Sequence, residues 1–303
     1  LKTKNADLVL VVGSALDEVS TSGWDTTAIL SERLIHVSRN PEHLTRSTMA
    51  RLVILGSPKL TLASIAGALG VETGGGFVST TEQHSQLPLQ IRLDNRTACE
   101  NVSGSIKPQA LMTYMSRVCP SNARVLMDSG NSFLWGIHHW NIRRYEHQDP
   151  SKKYFHIGIG FSSMGWAIGA SVGVAAAVKN TPVICFTGDG SYLMAGQEIT
   201  TALQENLNLL MVVLNDSSLG MVRHGQGLSG GESIGNSLPD INFADMAKAM
   251  GIESYRVETM EELFSVNLHA ILAKTGPCLL DVVVDRDEIP PMGSRMKVLT
   301  GSI

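Results

Sequence analysis

Short apolar runs alternate with amphipathic or polar stretches along most of the chain, and most of the runs stop at Gly, Ser, Asp or Pro. In the first third they cover 8–12, 33–37 and 51–55, and end at Gly13-Ser14, Ser38-Arg39-Asn40-Pro41 and Gly56-Ser57-Pro58. A helical stretch follows over 59–69. Uninterrupted apolar runs that end in turn residues ahead of a helix predict buried parallel strands. Residues 71–105 carry Gly74-Gly75-Gly76 and few apolar runs, which predicts a linker. The alternation then resumes with a helix over 107–118 and a strand over 124–127 that opens into Asp128-Ser129-Gly130-Asn131-Ser132. A small-residue helix over 166–178, a strand over 182–187, a helix over 191–207 and a strand over 209–215 come next. A polar Gly-rich loop over 225–236, helices over 243–250 and 260–273, and a strand over 278–284 complete the pattern. The fold class is α/β, with two doubly wound parallel-sheet domains: a partial Rossmann-like one over 1–70 and a second over 106–303.

Composition narrows the function classes. Hydrophobic content of 43% and charged content of 17% are ordinary for a globular chain, and a net charge of -4 gives no support for a nucleic-acid or anionic-membrane binder. The four cysteines (Cys99, Cys119, Cys185, Cys278) are scattered without a CxxC pair, against structural zinc or a disulfide framework. No apolar stretch reaches the roughly 18–20 residues of a bilayer span. A cytoplasmic setting is expected. The chain opens without Met and runs almost at once into a strand, so a piece of a longer protein, or a separate subunit, is expected.

The candidate chemistry lies in Gly188-Asp189-Gly190 at the end of one apolar run and Asp216, 27 positions after Asp189, at the end of the next. The two runs with a helix between them form a β-α-β unit. Both carboxylates therefore fall at the same sheet edge, where open α/β sheets bind ligands. That placement suits a hard cation holding a phosphorylated ligand. Other candidates are weaker. Gly74–Gly76 lacks the Lys-Ser/Thr of a phosphate loop. His138 and His139 are adjacent and diverge, His224 suits either a substrate pocket or a structural role, and no GxSxG or Cys–His signature appears.

The set Gly188-Asp189-Gly190-Ser191, Gln197-Glu198, Thr201-Ala202, Asn215-Asp216 and Leu219-Gly220-Met221-Val222-Arg223 resembles the diphosphate-binding motif of thiamine-diphosphate enzymes, most of all the acetolactate synthase branch. The likeness runs from about Ala6 to Pro290. It implies that 106–303 is the diphosphate-binding domain and 1–70 the latter part of a central domain. It further implies Mg²⁺ held by Asp189, Asp216 and the carbonyl of Ser218. Neighbouring strand residues face opposite ways, so Asp216 is the expected ligand and Asn215, the alternative, would pin the loop. The family usually has Asn-Asn here. An Asp adds negative charge beside a diphosphate, a cost that the metal and helix N-terminal amides must offset.

The resemblance implies a cofactor site of Gly188, Gly190, Ser191, Leu219 and Gly220, with Asn131 and Ser132 reaching the phosphates from an earlier strand end. Met164 is the implied apolar support of the bent cofactor, and the carbonyl of Ser162 the implied acceptor for its amine. Glu198 is implied to pack and not to react. The glutamate that activates the cofactor sits, in the family, on a pyrimidine-binding domain of a partner subunit, so no catalytic residue is expected in this chain. That domain is needed in cis or in trans. Gly225 stands where the biosynthetic synthases carry a Trp that favours 2-ketobutyrate, which argues against strict acetolactate synthesis. The strand ends near 38–41 and 55–58 lack acidic residues, which argues against structural FAD.

The implied activity is decarboxylation of a small 2-oxo acid with carboligation, by a homodimer or homotetramer. A 2-oxo acid decarboxylase or aldehyde lyase is the alternative within the class, and a non-catalytic cofactor- or partner-binding fragment the alternative outside it. A nucleotide-binding Rossmann protein would explain the alternation but not the paired strand-end aspartates.

Overall fold

The structure is a computed structural model and describes residues 6–17, 20–21, 24–25, 30–70, 104–141 and 152–292. The chain divides into two units, one comprising Leu1–Ser85 with Met292–Ile303 and the other Gln86–Pro291. The linker expected over 71–105, with Gly74–Gly76, lies up to residue 103 outside the described residues.

The first unit carries a three-stranded parallel sheet in the order β1 (Val9–Val12), β2 (Leu34–Ser38), β3 (Leu52–Leu55). Helices α1 (Pro41–Leu44) and α2 (Pro58–Ala68) follow β2 and β3. Each helix has Pro in its first turn, where the missing N–H has no intrahelical partner to lose. Central β2 holds the buried Leu34 and Val37.

The second unit is a six-stranded parallel sheet in the order β5-β4-β6-β7-β9-β8. Its strands are β4 (Arg124–Met127), β5 (Phe155–Ile157), β6 (Val183–Gly188), β7 (Leu209–Asn215), β8 (Glu253–Val257) and β9 (Pro277–Val283). The helices are α3 (Pro108–Val118), α4 (Asn131–His139), α5 (Trp166–Ala177), α6 (Asp189–Ala195), α7 (Ile199–Gln204), α8 (Gly220–Leu228), α9 (Phe243–Ala249), α10 (Met260–Ser265) and α11 (Leu268–Ala273). Side chains alternate across the central strands, as the period of two requires. Ile184, Phe186, Leu210 and Val212 face a layer with Leu111, Met115 and Leu263. Val183, Cys185, Leu209 and Met211 face one with Ile168, Tyr192 and Phe243. Both faces are covered, which is why these strands read as unbroken apolar runs.

The order places β5 on one side of β4 and β6 on the other. The winding reverses there, and such a reversal opens a crevice at the carboxyl ends of the two strands.

Several elements differ from the sequence reading. The single helix expected over 191–207 is broken into α6, a 3₁₀ turn Gly196–Glu198, and α7. The ring of Tyr192 folds over Gly196, where a Cβ would lie 2.6 Å from it. The helix expected over 260–273 is two, because Val266 is extended and Asn267 caps a new start by accepting from the Ala270 N–H. The loop expected from 225 begins after α8. Gln226 on that helix receives the Asn236 amide at 2.7 Å and donates to the Ile234 carbonyl, so the loop folds back onto it. Strands β5 and β8 and helix α4 are additions. β5 has three residues, and β8 is an edge strand that mixes Glu, Ser, Tyr and Arg.

Candidate functional site

Four strand ends, those of β4, β6, β7 and β9, meet in a cleft of about 640 Å³. Asp189 follows β6 directly and is buried. Its Oδ1 accepts from the Gly190 N–H at 2.7 Å, and its Oδ2 from the N–H groups of Asp216 and Ser218, each at 3.2 Å. Asp216 follows β7, and its Oδ1 accepts from the Ser218 N–H and the Ser218 hydroxyl, both at 3.0 Å. Ser217 between them takes φ +50, which turns the chain sharply enough for one N–H to face both carboxylates. Asn215 points the other way, donating to the Ile241 carbonyl and to Asp281 Oδ1, both at 3.0 Å.

Burial first, then the charge of Asp216, pushes the Asp189 carboxyl up to about 7, against three backbone N–H donors that pull it down. Burial also raises Asp216, opposed by Ser218, His224 and Arg286. The described residues lining the cleft include four carboxylates (Asp189, Asp216, Asp285, Glu288) and neither Lys nor Arg. Asp285 and Glu288 are paired with Lys107, whereas Asp189 and Asp216 have no ion-pair partner among the described residues. Desolvated carboxylates so placed are unfavourable, and a hard divalent cation with oxygen ligands is a group that relieves them.

The cleft brings together Asn131, Ser132, Met164, Gly188, Asp189, Gly190, Ser191, Asp216, Ser218, Leu219 and Gly220, eleven of the twelve candidates from the sequence. Ser162 is outside this lining. It has φ +56, and its carbonyl accepts from the Ser129 hydroxyl at 2.7 Å. Two of the expected phosphate donors already have acceptors: the Gly190 N–H bonds to Asp189, and the Ser132 hydroxyl donates to the Asp128 carbonyl at 2.9 Å. Two of the glycines stand close against neighbouring side chains. A Cβ on Gly220 would sit 2.5 Å from Asp216 Oδ2 and 2.7 Å from Asn131 Nδ2. One on Gly190 would sit 2.6 Å from Leu219 Cδ2 and 3.2 Å from Met164 Cε.

Some residues that build the site had no role assigned from sequence. Asp128, fully buried at the end of β4, accepts from the N–H groups of Gly165 and Ala167 (3.0 and 3.2 Å) and from the Thr187 hydroxyl (2.9 Å). It ties β4 to β6 and holds the first turn of α5. Its position at a strand end before Ser-Gly is the only sequence signal for this. Lys107 bonds Asp285 at 2.7 Å and Glu288 at 2.5 Å, which fixes both acids at the cleft mouth. Those carboxylates raise the Lys107 ammonium to about 12.

His224 is buried, with Nδ1 3.2 Å from Asn131 Nδ2 and Nε2 3.0 Å from the Arg286 carbonyl. Glu198, implied to pack, is exposed on the 3₁₀ turn in this chain. His139 stacks beside Trp135 with ring centroids 5.7 Å apart, and burial lowers its pKa to about 4. Among the described residues no three His, Cys, Asp or Glu cluster as a self-sufficient metal site, so a cation here needs ligands from outside the side chains. None of the described helices is long and apolar enough to cross a membrane.

Residues 128–282 match the thiamine pyrophosphate enzyme C-terminal TPP binding domain, and residues 2–65 match the central domain of thiamine pyrophosphate enzymes. The chain belongs to the thiamine pyrophosphate enzyme family. Among curated relatives in the family, the acetolactate synthase large subunit of Haemophilus influenzae is 30% identical over 297 residues, covering 96% of this chain and 50% of the relative. The acetolactate synthase isozyme 3 large subunit of Escherichia coli is 29% identical over 298 residues, covering 96% and 50%. The chain thus spans about half the length of these relatives. An X-ray structure of a Mycobacterium smegmatis protein provisionally assigned as a thiamin diphosphate-dependent enzyme shares the fold. It has a TM-score of 0.63 at 20% identity, over 91% of this chain and 48% of that one.

Proposed function

We propose that this chain supplies the diphosphate- and Mg²⁺-holding half of an acetolactate synthase-like enzyme that decarboxylates a small 2-oxo acid and joins the product to an acceptor. The observation that carries the reading is the pair of buried Asp189 and half-buried Asp216, two carboxylates on one Ser218 N–H in a cleft whose described lining has no basic residue. That donor set accepts Mg²⁺, which commonly takes one or two carboxylates together with phosphate oxygens and water. The unpartnered Asn131 Oδ1 in the same wall, and two glycines with no space for a Cβ, fit a ligand that lies close against the backbone. The names of the relatives support the synthase assignment over the decarboxylase or lyase alternative.

When bound, thiamine diphosphate supplies the nucleophilic carbon and the electron sink that 2-oxo acid decarboxylation needs. The chain's own residues do the holding. Asp189, Asp216 and the Ser218 carbonyl would take the cation, and Ser191 and Asn131 would face the diphosphate. Met164, Leu219 and Trp135 give the cleft an apolar wall that limits water around the reacting end. A pyrimidine-binding domain, in cis or in trans, would bring the activating carboxylate, and the working enzyme would be a homodimer or homotetramer.

Calorimetry tests the reading directly. Thiamine diphosphate should bind only with Mg²⁺ present, and Asp189→Ala should abolish the heat. Binding of NADH without any response to thiamine diphosphate would overturn it.

A further inference from the structure

His224 joins two parts of the site that no motif links. A carbonyl only accepts, so the imidazole Nε2, 3.0 Å from the Arg286 carbonyl, carries a proton. The other ring nitrogen lies 3.2 Å from Asn131 Nδ2 and, if bare, accepts from it. That arrangement leaves Asn131 Oδ1 buried in the cleft wall with no donor among the described residues. A buried acceptor without a donor is costly.

The two ends of an amide are nearly equal in shape, so its partners decide which way it faces. Turned over, Asn131 would accept at Oδ1 from an Nδ1–H of His224 and present its NH₂ group to the cleft. The ring must then carry both protons. No hydrogen bond joins His224 to Asp189, Asp216 or Ser218 among the described residues, so the metal side of the site is left as it is. The charged groups around the ring are Asp216 after β7, Arg223 on the same helix, and Arg286 and Asp287 after β9. Arg223 is already paired with Asp287 at 2.6 Å.

We propose that His224 is the positioning residue for Asn131. Arrival of the Mg²⁺-bound diphosphate turns the amide over, and His224 takes one proton from solvent onto Nδ1 to hold it there. The proposal rests on the cofactor reading above and adds to it a residue, a direction and a proton.

The test is nitrogen-15 NMR of the histidine rings in the full chain, with and without thiamine diphosphate and Mg²⁺, the signal assigned by its loss in His224→Gln. His224 should show one protonated nitrogen alone and two when the cofactor is bound. His224→Leu should weaken thiamine diphosphate binding by roughly tenfold or more, the effect of one lost hydrogen bond in a charged site. His224→Gln, whose amide can still donate to Asn131 Oδ1, should recover most of that. A ring that keeps one bare nitrogen in the loaded protein overturns the proposal, as does a His224→Leu variant that binds like the parent. Should His224→Leu fail to fold, the NMR of the unaltered chain decides alone. If the unaltered chain binds no thiamine diphosphate, the cofactor reading itself falls, an outcome seen before any variant is made.

Discussion

The carboxylates of Asp189 and Asp216 share one donor, the backbone N–H of Ser218, at 3.2 and 3.0 Å. One dipole between two largely desolvated carboxylates compensates their charge only in part. Raised carboxylates of this kind oppose folding when ionised, and perturbed groups in clefts are functional-site candidates.

Stability should therefore fall as pH rises in the cation-free chain. Asp189 is raised from 3.8 to about 7, so between those values the folded state holds a proton that the unfolded state has released. The contribution is full below the lower value and lost on passing the upper, with a size of a few kcal/mol at most, by ~1.4 kcal/mol per unit. Urea unfolding at pH 5 and pH 7.5 should show the decline, and millimolar Mg²⁺ should flatten it. An equal decline with Mg²⁺ present would separate the pair from cation binding.

Asn215 and Asp216 are neighbours with opposite tasks, and substitution should separate them. Asn215→Ala removes two hydrogen bonds and uncovers Asp281, which should cost about 2 kcal/mol of stability while leaving Mg²⁺-dependent cofactor affinity within a few fold. Asp216→Ala should do the reverse. Thermal midpoints and calorimetric titration on the two variants give the comparison, and a swapped outcome would make Asn215 the ligand.

Gly220→Ala should weaken thiamine diphosphate binding by roughly tenfold or more, since its Cβ meets both Asp216 Oδ2 and Asn131 Nδ2 at under 3 Å. Gly190→Ala meets the ends of Leu219 and Met164, which can swing aside, and should lose less. Equal losses at the two positions would show that the Leu219 and Met164 side chains are held as firmly as the polar pair.

Asp128→Ala should be the most damaging of these substitutions to the fold. It leaves the N–H groups of Gly165 and Ala167 and the Thr187 hydroxyl without their acceptor, at a cost of about 3–5 kcal/mol. Asp128→Asn keeps one acceptor oxygen and should cost less. Denaturant midpoints for the two variants check the order.

The sequence made the central strands legible because both their faces are buried, so β6 and β7 appear as unbroken apolar runs with Asp189 and Asp216 at their ends. It did not reveal β5 or β8. A three-residue strand has no period to detect, and Glu253 to Val257 on the edge alternates polar residues that only its pairing with β9 explains. The break at Gly196 was hidden for another reason. Its cause is a ring four residues earlier that the sequence gives no hint will fold back. Eleven of the twelve candidates that the family resemblance implied line the cleft, whereas Asp128 had no role and His224 no settled one, because their partners lie 37 to 93 positions away.

The reversal of winding between β4 and β6 makes the cleft a product of connectivity. The chain leaves these two strands in opposite directions, and that divergence opens the gap. Substitutions at Asp189 and Asp216 leave that connectivity unchanged. A descendant that has lost its chemistry would inherit a ready receptacle, free to be relined for some other guest.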